Sequence, residues 1–168
     1  MTDQSRQGLA TKELQCELRD LLSLAVLGDQ VRWVLAGDEA AVFASWLARA
    51  TTQWRAWADQ VATHLVALGI APDGRVRSVS RDIEKYGFWV PDGWLLPAEA
   101  GRLVVERLGI LAGWARYRLS QAINPDTVRL LETVCSGLET HAREVREITR
   151  GNLTPDTPRQ PRSLAGAR

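Results

Sequence analysis

The sequence predicts an all-α protein, a four-helix bundle made of two antiparallel hairpins and one long crossover. Apolar residues recur at helical spacing in four long segments of the chain. About two and three residues join the helices within each pair, whereas roughly 27 residues, from Gly69 to Leu96, separate the two pairs. Short connections make neighbouring helices antiparallel, and the long segment is sufficient to cross the length of a bundle.

The first hairpin is predicted to contain helices near residues 12–36 and 39–68. Thr11 is in position to cap the first helix, and Gly37 ends it. Asp38 is in position to cap the second helix, which closes before a turn rich in proline and glycine. The caps and terminators therefore agree with the limits of the apolar periodicity.

The second hairpin is predicted to contain helices near residues 97–122 and 126–149. Pro97 suits the first turn of its helix, and Gly151 ends the final one. A short helix is also expected within the crossover, in the region 78–86.

These boundaries divide the chain into an N-terminal extension at 1–11, a bundle at 12–150 and a C-terminal tail at 151–168. The tail contains three prolines and almost no large apolar side chain, so it is expected to be disordered. Two hairpins joined by one long crossover make the ferritin-like arrangement of a four-helix bundle.

Composition and cysteine usage exclude several classes of protein. The 168 residues suffice for one domain, and a net charge of +1 does not indicate a polyelectrolyte binder. No apolar run approaches the ~18 residues of a membrane span, and the polar N-terminus lacks a signal-peptide core, so a cytoplasmic protein is expected. Cys16 and Cys135 match no metal or redox spacing, which predicts free, buried thiols and no cofactor.

A spaced set of residues occupies the first hairpin. It consists of Arg32-Trp33, Gly37, Ala44, Asp59, Thr63 and Gly69. The spacing resembles, without a gap, that of the Dps mini-ferritins, which protect DNA in starved bacteria and carry His-Trp, Gly, His, Asp, Glu and Gly at these intervals. The resemblance covers about residues 12 to 150 and includes an Asp-Thr start of the fourth long helix.

The resemblance implies a shell of twelve subunits that oxidises ferrous iron at sites shared between two subunits. The family's ligands are two His, an Asp and a Glu, which are donor types that ferrous iron favours. Here Arg32, Ala44 and Thr63 replace three of these ligands. Asp59 is retained, so a metal role is left to Asp59 and no catalytic residue is predicted in this degenerate ferroxidase centre.

Arg32 lies in an otherwise apolar run, where an unpaired charge is costly. If it replaces a metal-binding His, its guanidinium faces Asp59 of the partner subunit and supplies the positive charge that iron supplies in the family. Two alternatives stay open. Either Arg32 reaches solvent while Asp59 is solvated, or the site keeps a residual metal role.

Other conspicuous residues have simpler structural interpretations. Trp46, Trp54 and Trp57 share the core face of the second helix, and core packing is expected of them and of Trp33. His64 lies in the last turns of its helix, where a cation suits the helix dipole.

The start of the fourth long helix is where family members often carry acids that line a three-fold ion entrance. Here Asp126 is accompanied by Arg118 and Arg129. This combination indicates a weakened path for iron, or simply a solvated helix face.

The C-terminal segment carries positive charge on an otherwise slightly acidic chain. From residue 150 onward, Asp156 is opposed by four arginines, which are Arg150, Arg159, Arg162 and Arg168. Flexible basic extensions hold DNA in several family members, through phosphate contacts that are sequence-independent and salt-sensitive. The tail either binds DNA, with avidity over many copies, or is inert.

Three functions fit these residues. The favoured one is a Dps-like subunit that binds or shields DNA at the nucleoid under stress, without its own ferroxidase reaction. The alternatives are iron oxidation and storage with unconventional ligands, and a structural subunit that co-assembles with an active paralogue. The expected partners are further copies of the chain, DNA and, in the last case, the paralogue.

Overall fold

The computed structural model describes the backbone of residues 3–150, with side chains from residue 11 onward. Within this part the chain forms five α-helices, which are α1 (Asp3–Val34), α2 (Ala40–Ala67), α3 (Val76–Tyr86), α4 (Pro97–Gln121) and α5 (Pro125–Arg150). The predicted all-α fold is confirmed, as are the four long helices and the short helix in the crossover. The predicted tail lies outside the described residues.

The long helices form a bundle of two hairpins. α1 packs along α2, and α4 packs along α5. The hairpins meet where α1 contacts α4 and where α2 contacts α5, while α3 lies against α1. Two seams between helices therefore hold the halves of the bundle together.

Large apolar side chains on the inward faces of the four long helices make one core. Leu21, Leu47, Leu108 and Leu138, one from each helix, are completely buried. Each such side chain contributes about 1.5–3 kcal/mol on removal from water. Inward-facing residues recur every three to four positions, which is why the apolar periodicity predicted these helices.

Two helices start at residues other than those predicted. α1 begins at Asp3, so the residues predicted as an extension form its first turns and Thr11 is not its N-cap. Proline is absent from residues 3–11, so no residue there blocks the helix. α2 begins at Ala40, with Glu39 rather than Asp38 at the N-cap position.

The end of α1 is set by the loop that precedes α4. Leu95 donates its backbone N–H to the carbonyl of Val34, and Ala36 donates to the carbonyl of Leu95, both at 2.9 Å. These bonds pair Leu35 with Leu95 in an isolated bridge. The helix ends two residues earlier than predicted because this loop takes over its terminal hydrogen bonds.

Polar side chains of α1 fasten the crossover to the bundle. The side chain of Gln15 donates to the carbonyl of Ala71 and accepts the N–H of Asp73, both at 2.8 Å. Arg19 donates from Nε to Oδ2 of Asp82 at 2.6 Å, which ties α3 to α1. These contacts fix the path of the crossover along the outside of α1.

α1 and α2 approach each other closely at Gly28. A Cβ atom built there would lie 2.6 Å from Cγ2 of Thr51 and 2.6 Å from Cζ3 of Trp54. Glycine therefore lets Trp54 pack directly on the α1 backbone, which places its indole deep in the core.

Candidate functional site

The sequence resemblance assigns three of the family's four iron-binding positions to α2, and the helix spreads these residues along its length. Asp59 and Thr63 lie one turn apart on an exposed face. Ala44 lies fifteen residues before Asp59, about 22 Å along the helix axis. One chain therefore does not bring all these positions together.

Arg32, the fourth position, lies in the last turn of α1 and has a weak partner within the chain. Its Nη2 atom is 3.5 Å from Oδ1 of Asp29. Asp29 is bound more closely by Arg55 of α2, at 2.7 Å between Nη2 and Oδ2. The Nε–H of Arg32 is buried without an acceptor among the described residues. A single chain thus leaves part of the guanidinium's hydrogen-bonding capacity unused.

Asp59, the predicted partner of Arg32, is exposed and lies at a different position along the axis of the hairpin. It lies one turn beyond Arg55, whose own partner is Asp29. Among the side chains that the structure describes, at residues 11–150, Asp59 has no ion-pair partner. The pair was predicted between subunits, so it stays a prediction.

The core packing expected of Trp33 is wrong for the single chain, where its side chain is 62% exposed. Leu27 and Val31 occupy the inward face of this part of α1. Trp33 is two positions beyond Val31, about 200° around the helix, and therefore points outward. The guanidinium of Arg32 lies 5.8 Å from the centre of its ring.

Metal-binding groups are sparse in the described part of the chain. Among the side chains described at residues 11–150, no group of three or more His, Cys, Asp or Glu is placed to hold a metal ion. Asp59 provides a single carboxylate as a ligand for a cation. Every helix in the described part of the chain is too short or too polar to cross a membrane.

A buried ionic cluster joins α1 and α4. The guanidinium of Arg118 contacts three carboxylates on successive turns of α1. Its nitrogens lie 2.6 Å from Oε2 of Glu17, 2.7 Å from Oδ2 of Asp20 and 3.3 Å from Oε2 of Glu13. Exposure is 7% for Arg118, 1% for Glu17 and 4% for Asp20. The cluster therefore buries more negative than positive charge.

The pKa values of the cluster reflect this imbalance. Burial raises the pKa of Asp20 from 3.8 to about 7, against the attraction of Arg118. Burial also raises the pKa of Glu17. Burial lowers the pKa of Arg118, but its two carboxylate partners outweigh this and raise it overall. Oδ2 of Asp20 accepts no well-aligned hydrogen bond in the described structure, so the cluster readily holds a proton near neutral pH.

The expectation that Arg118 accompanies Asp126 at the start of the last helix is wrong. Asp126 forms an exposed ion pair with Arg129, whereas Arg118 points into the bundle. Arg118 shares its helix face with Leu111 and Ala115, which are also buried. This spacing could have been noticed in the sequence, as could the placement of Glu17 and Asp20 among the buried leucines of α1.

A second polar cluster lies in the other seam, between α2 and α5, and is centred on His141. Trp54 donates its indole N–H to Nδ1 of His141 at 2.9 Å. Trp57 stacks on the imidazole with ring centroids 5.4 Å apart, and Trp46 meets it edge-on at 5.5 Å. The predicted core packing of these three tryptophans is confirmed, whereas the role of His141 was not predicted from the sequence.

The indole N–H of Trp54 determines the protonation of His141. Because Nδ1 accepts this hydrogen bond, the proton of the neutral ring is assigned to Nε2. Burial lowers the pKa of His141, against the opposing effect of Glu144. Glu144 in turn accepts the indole N–H of Trp46 at 2.9 Å. His141 therefore joins α2 to α5 without adding a buried charge.

An open cleft of about 450 Å³ lies beside this cluster. Both helices line it, with Trp46, Arg49, Ala50, Gln53, His141, Glu144, Glu147 and Ile148. Cationic, anionic and apolar groups are mixed along its walls. The lining therefore does not favour one class of ligand.

The contacts of His64 and of the two cysteines indicate structural roles. Nε2 of His64 lies 2.7 Å from Oγ1 of Thr127, which links the end of α2 to the start of α5. Cys16 and Cys135 are free, as predicted, although Cys16 is half-buried rather than buried. Burial raises the pKa of both thiols, which keeps them protonated and poorly reactive near neutral pH.

The basic segment begins at the end of α5. Arg150, its first arginine, is exposed there. Arg159, Arg162 and Arg168 lie outside the described residues, so DNA binding by this segment stays a prediction.

Comparison with solved structures reveals a common fold. Dps92 from Deinococcus radiodurans gives a TM-score of 0.78, with 90% of each chain covered at 20% identity. Dps from Microbacterium arborescens in the high iron form gives 0.76, covering 88% of this chain and 96% of that chain at 16% identity. A dodecameric thioferritin from Bacteroides fragilis, a bacterioferritin-related protein, gives 0.78, with 87% of each chain covered at 11% identity.

Comparisons of sequence give no match, either to protein-family models or to curated proteins. At the identities above, the likeness to solved structures concerns the fold. The chain has the ferritin-like four-helix bundle of the Dps mini-ferritins, and the predicted fold class is confirmed.

Replacing Arg118 should destabilise the protein strongly, because Glu17 and Asp20 would lose their cation. For Arg118→Met we expect a loss of about 3–5 kcal/mol in the free energy of unfolding. Arg116, two residues away on α4, is the matched control because its ion pair with Glu139 is exposed, and Arg116→Met should cost less than about 1 kcal/mol. Denaturant unfolding measures both values, and equal losses would contradict a structural role for the cluster.

As pH rises, the free energy of unfolding of the Asp20→Asn variant should increase relative to that of the parent protein. A carboxyl with an unfolded pKa of 3.8 and a native pKa of about 7 stabilises the fold below the first value and loses this contribution as pH rises through the second. The amide does not titrate, so the variant should gain about 1–3 kcal/mol on the parent between pH about 5 and 8. Denaturant unfolding across this range tests it. A difference that does not change with pH would show that Asp20 is already charged at pH 5.

Proposed function

We propose that this chain is the subunit of a Dps-like cage that binds and shields DNA and has no ferroxidase reaction of its own. The proposal rests on the observed Dps-type fold, together with the sequence resemblance that assigns Arg32, Ala44 and Thr63 to three of the family's four iron-binding positions. A shell without iron oxidation leaves physical protection of DNA as its activity.

The side chains at these positions are poorly suited to ferrous iron, which is the substrate in the family. The methyl group of Ala44 offers no donor, and the hydroxyl of Thr63 is a weak replacement for a carboxylate. The fixed positive charge of Arg32 repels a dication. Asp59 remains as a single strong ligand, which is too few for a site that must hold and oxidise iron.

Assembly into a shell would supply a second carboxylate to Arg32, whose side chain is 34% exposed in one chain and has only a weak contact to Asp29. We propose a homo-oligomer, by analogy with the thioferritin that is described as dodecameric. In a two-fold interface, Asp59 of the partner subunit would pair with the exposed part of the Arg32 side chain, and the exposed ring of Trp33 would leave water. A guanidinium and a carboxylate can pair through two parallel hydrogen bonds, which suits a dry interface.

The C-terminal arginines are the proposed DNA-binding element. Arg150 is exposed at the end of α5, and three more arginines follow it along the chain. Each subunit contributes few charges, but the copies in one shell act together on the same duplex. DNA binding would place the protein in the cytoplasm, on the nucleoid, in a role suited to stress.

Two alternative functions share the same fold. An iron-oxidising mini-ferritin with unconventional ligands is favoured by the retained, exposed carboxylate of Asp59. A structural subunit that co-assembles with an active paralogue would keep the shell and leave the iron ligands to the other chain.

The full chain should retard duplex DNA at low salt without sequence preference, whereas a chain that ends at Gly151 should not. Salt should weaken the binding steeply, because phosphate contacts release counterions. Replacing Arg159, Arg162 and Arg168 by serine should abolish retardation. The matched control replaces three exposed arginines of the described helices, namely Arg77, Arg81 and Arg146, and therefore changes the net charge equally. Equal loss in both variants would show that charge in general, rather than the C-terminal segment, binds DNA.

The purified protein should not oxidise ferrous iron faster than buffer does, with oxygen or peroxide as oxidant. The missing ligands and the charge of Arg32 both oppose iron binding. Replacing Arg32 and Ala44 by His and Thr63 by Glu in one chain should restore catalysed oxidation, measured by ferric absorbance. Catalysis by the unmodified chain that Asp59→Ala abolishes would instead establish the iron-oxidising alternative.

Arg32 and Asp59 should be coupled across subunits in a double-mutant cycle. Arg32→Ala and Asp59→Ala should each weaken the dimer by about 3–5 kcal/mol, because each strands a charge in a dry interface. The double variant should lose little more, and the exchange of Arg32→Asp with Asp59→Arg should recover most of the loss. Sedimentation at several concentrations measures assembly, with Arg49→Ala on the exposed surface of α2 as control. Strictly additive losses would exclude the pair.

A further inference from the structure

An exposed apolar face lies where the loop before α4 crosses the end of α1. Leu95 is buried and bridged to Leu35. Side chains alternate along an extended backbone, so Trp94 and Leu96 lie on the opposite, outer side. They are 75% and 56% exposed. We name these two side chains the Trp94 face.

The two segments that flank the Trp94 face are acidic, and exposed Arg102 lies one turn of α4 beyond them. Segments 36–43 and 88–99 meet at this end of the bundle through the hydrogen bond from Ala36 to Leu95. Together they contain no lysine or arginine and four exposed acidic residues, which are Asp38, Glu39, Asp92 and Glu99. A ligand that fits here combines apolar surface with positive charge. A phosphate backbone would be repelled.

The C-terminal segment of the same chain has this chemistry. Pro155, Pro158 and Pro161 recur at every third residue, and Arg159 and Arg162 each follow a proline. The polyproline II helix has three residues per turn, so in that conformation the prolines would share one edge and the arginines the next. Proline-rich segments of this type bind surfaces lined by aromatic side chains.

This segment also starts at the correct end of the bundle. α5 ends at Arg150, and the side chain of Thr149 lies against Gly101, in the second turn of α4. Gly101 is about 8 Å along the helix axis from Leu96. The four residues between Arg150 and Pro155 can span up to about 14 Å. The prolines can therefore reach the Trp94 face of their own chain.

We propose that residues 155–162 dock on the Trp94 face of the same chain. The prolines pack on Trp94 and Leu96, and the two arginines point towards the acidic surroundings. Docking withholds these arginines from DNA phosphates, so the segment is either held on the bundle or offered to nucleic acid. The inference goes beyond the proposed function and is tested without DNA, so the failure of one leaves the other standing.

Photo-crosslinking in the full chain tests the docking. Benzoylphenylalanine replaces Trp94 or, as control, Tyr117, an exposed aromatic residue near the other end of α4. After irradiation, position 94 should crosslink to residues 152–162 with at least about ten times the yield of position 117, a ratio that corresponds to 1.4 kcal/mol of preference. The product should run as a single chain on a denaturing gel, and mass spectrometry identifies the linked peptide.

The proline pattern provides a second, matched comparison in the chain that carries the probe at position 94. Alanine at Pro155, Pro158 and Pro161 should lower the crosslink yield about tenfold. Alanine at the same number of intervening positions, Thr154, Thr157 and Gln160, should leave it unchanged. Equal effects of the two sets would overturn the proposal, as would a crosslink absent from the segment. Products of two chains linked through their helices would show that a second copy occupies the Trp94 face.

Discussion

The ion pair network of Arg118 is the interaction on which the joining of the two hairpins depends. Within each hairpin the two helices contact each other extensively. The two hairpins contact each other less extensively, along the α1–α4 and α2–α5 seams. In the α1–α4 seam a single guanidinium serves two buried carboxylates, Glu17 and Asp20. Charges removed from water are tolerated there because they are paired. In the α2–α5 seam the neutral ring of His141 links the two helices by accepting a hydrogen bond from Trp54.

The two seams respond to pH in opposite directions. Burial raises the pKa of Asp20, so the α1–α4 seam loses stability as pH rises through about 7. Burial lowers the pKa of His141 below its ordinary value of 6.5, so the stabilisation it provides is fully present above that value and is lost as pH falls below it. Each seam therefore favours the uncharged form of one buried group, namely the carboxylic acid of Asp20 and the neutral imidazole of His141.

In this chain arginine repeatedly provides the cation that forms ion pairs with carboxylates. Arg118 does so inside the bundle, and Arg55 does so between α1 and α2. The proposed pairing of Arg32 across subunits would extend the same chemistry to an interface where the family uses iron. The proposed shell would therefore need no metal at this interface.

Sequence alone determined the bundle, because apolar periodicity and connection lengths are local properties that need no knowledge of partners. It also placed Arg32, Asp59 and the tryptophan face of α2 on their correct helices. Only the tertiary structure decided what each polar group meets. Arg118 pairs with carboxylates about 100 residues away in the chain, and α1 stops at Val34 because Leu95 reaches its last carbonyl. Helical spacing fixes which face a residue occupies, but the partner that crosses to that face comes from another helix and carries no local signal.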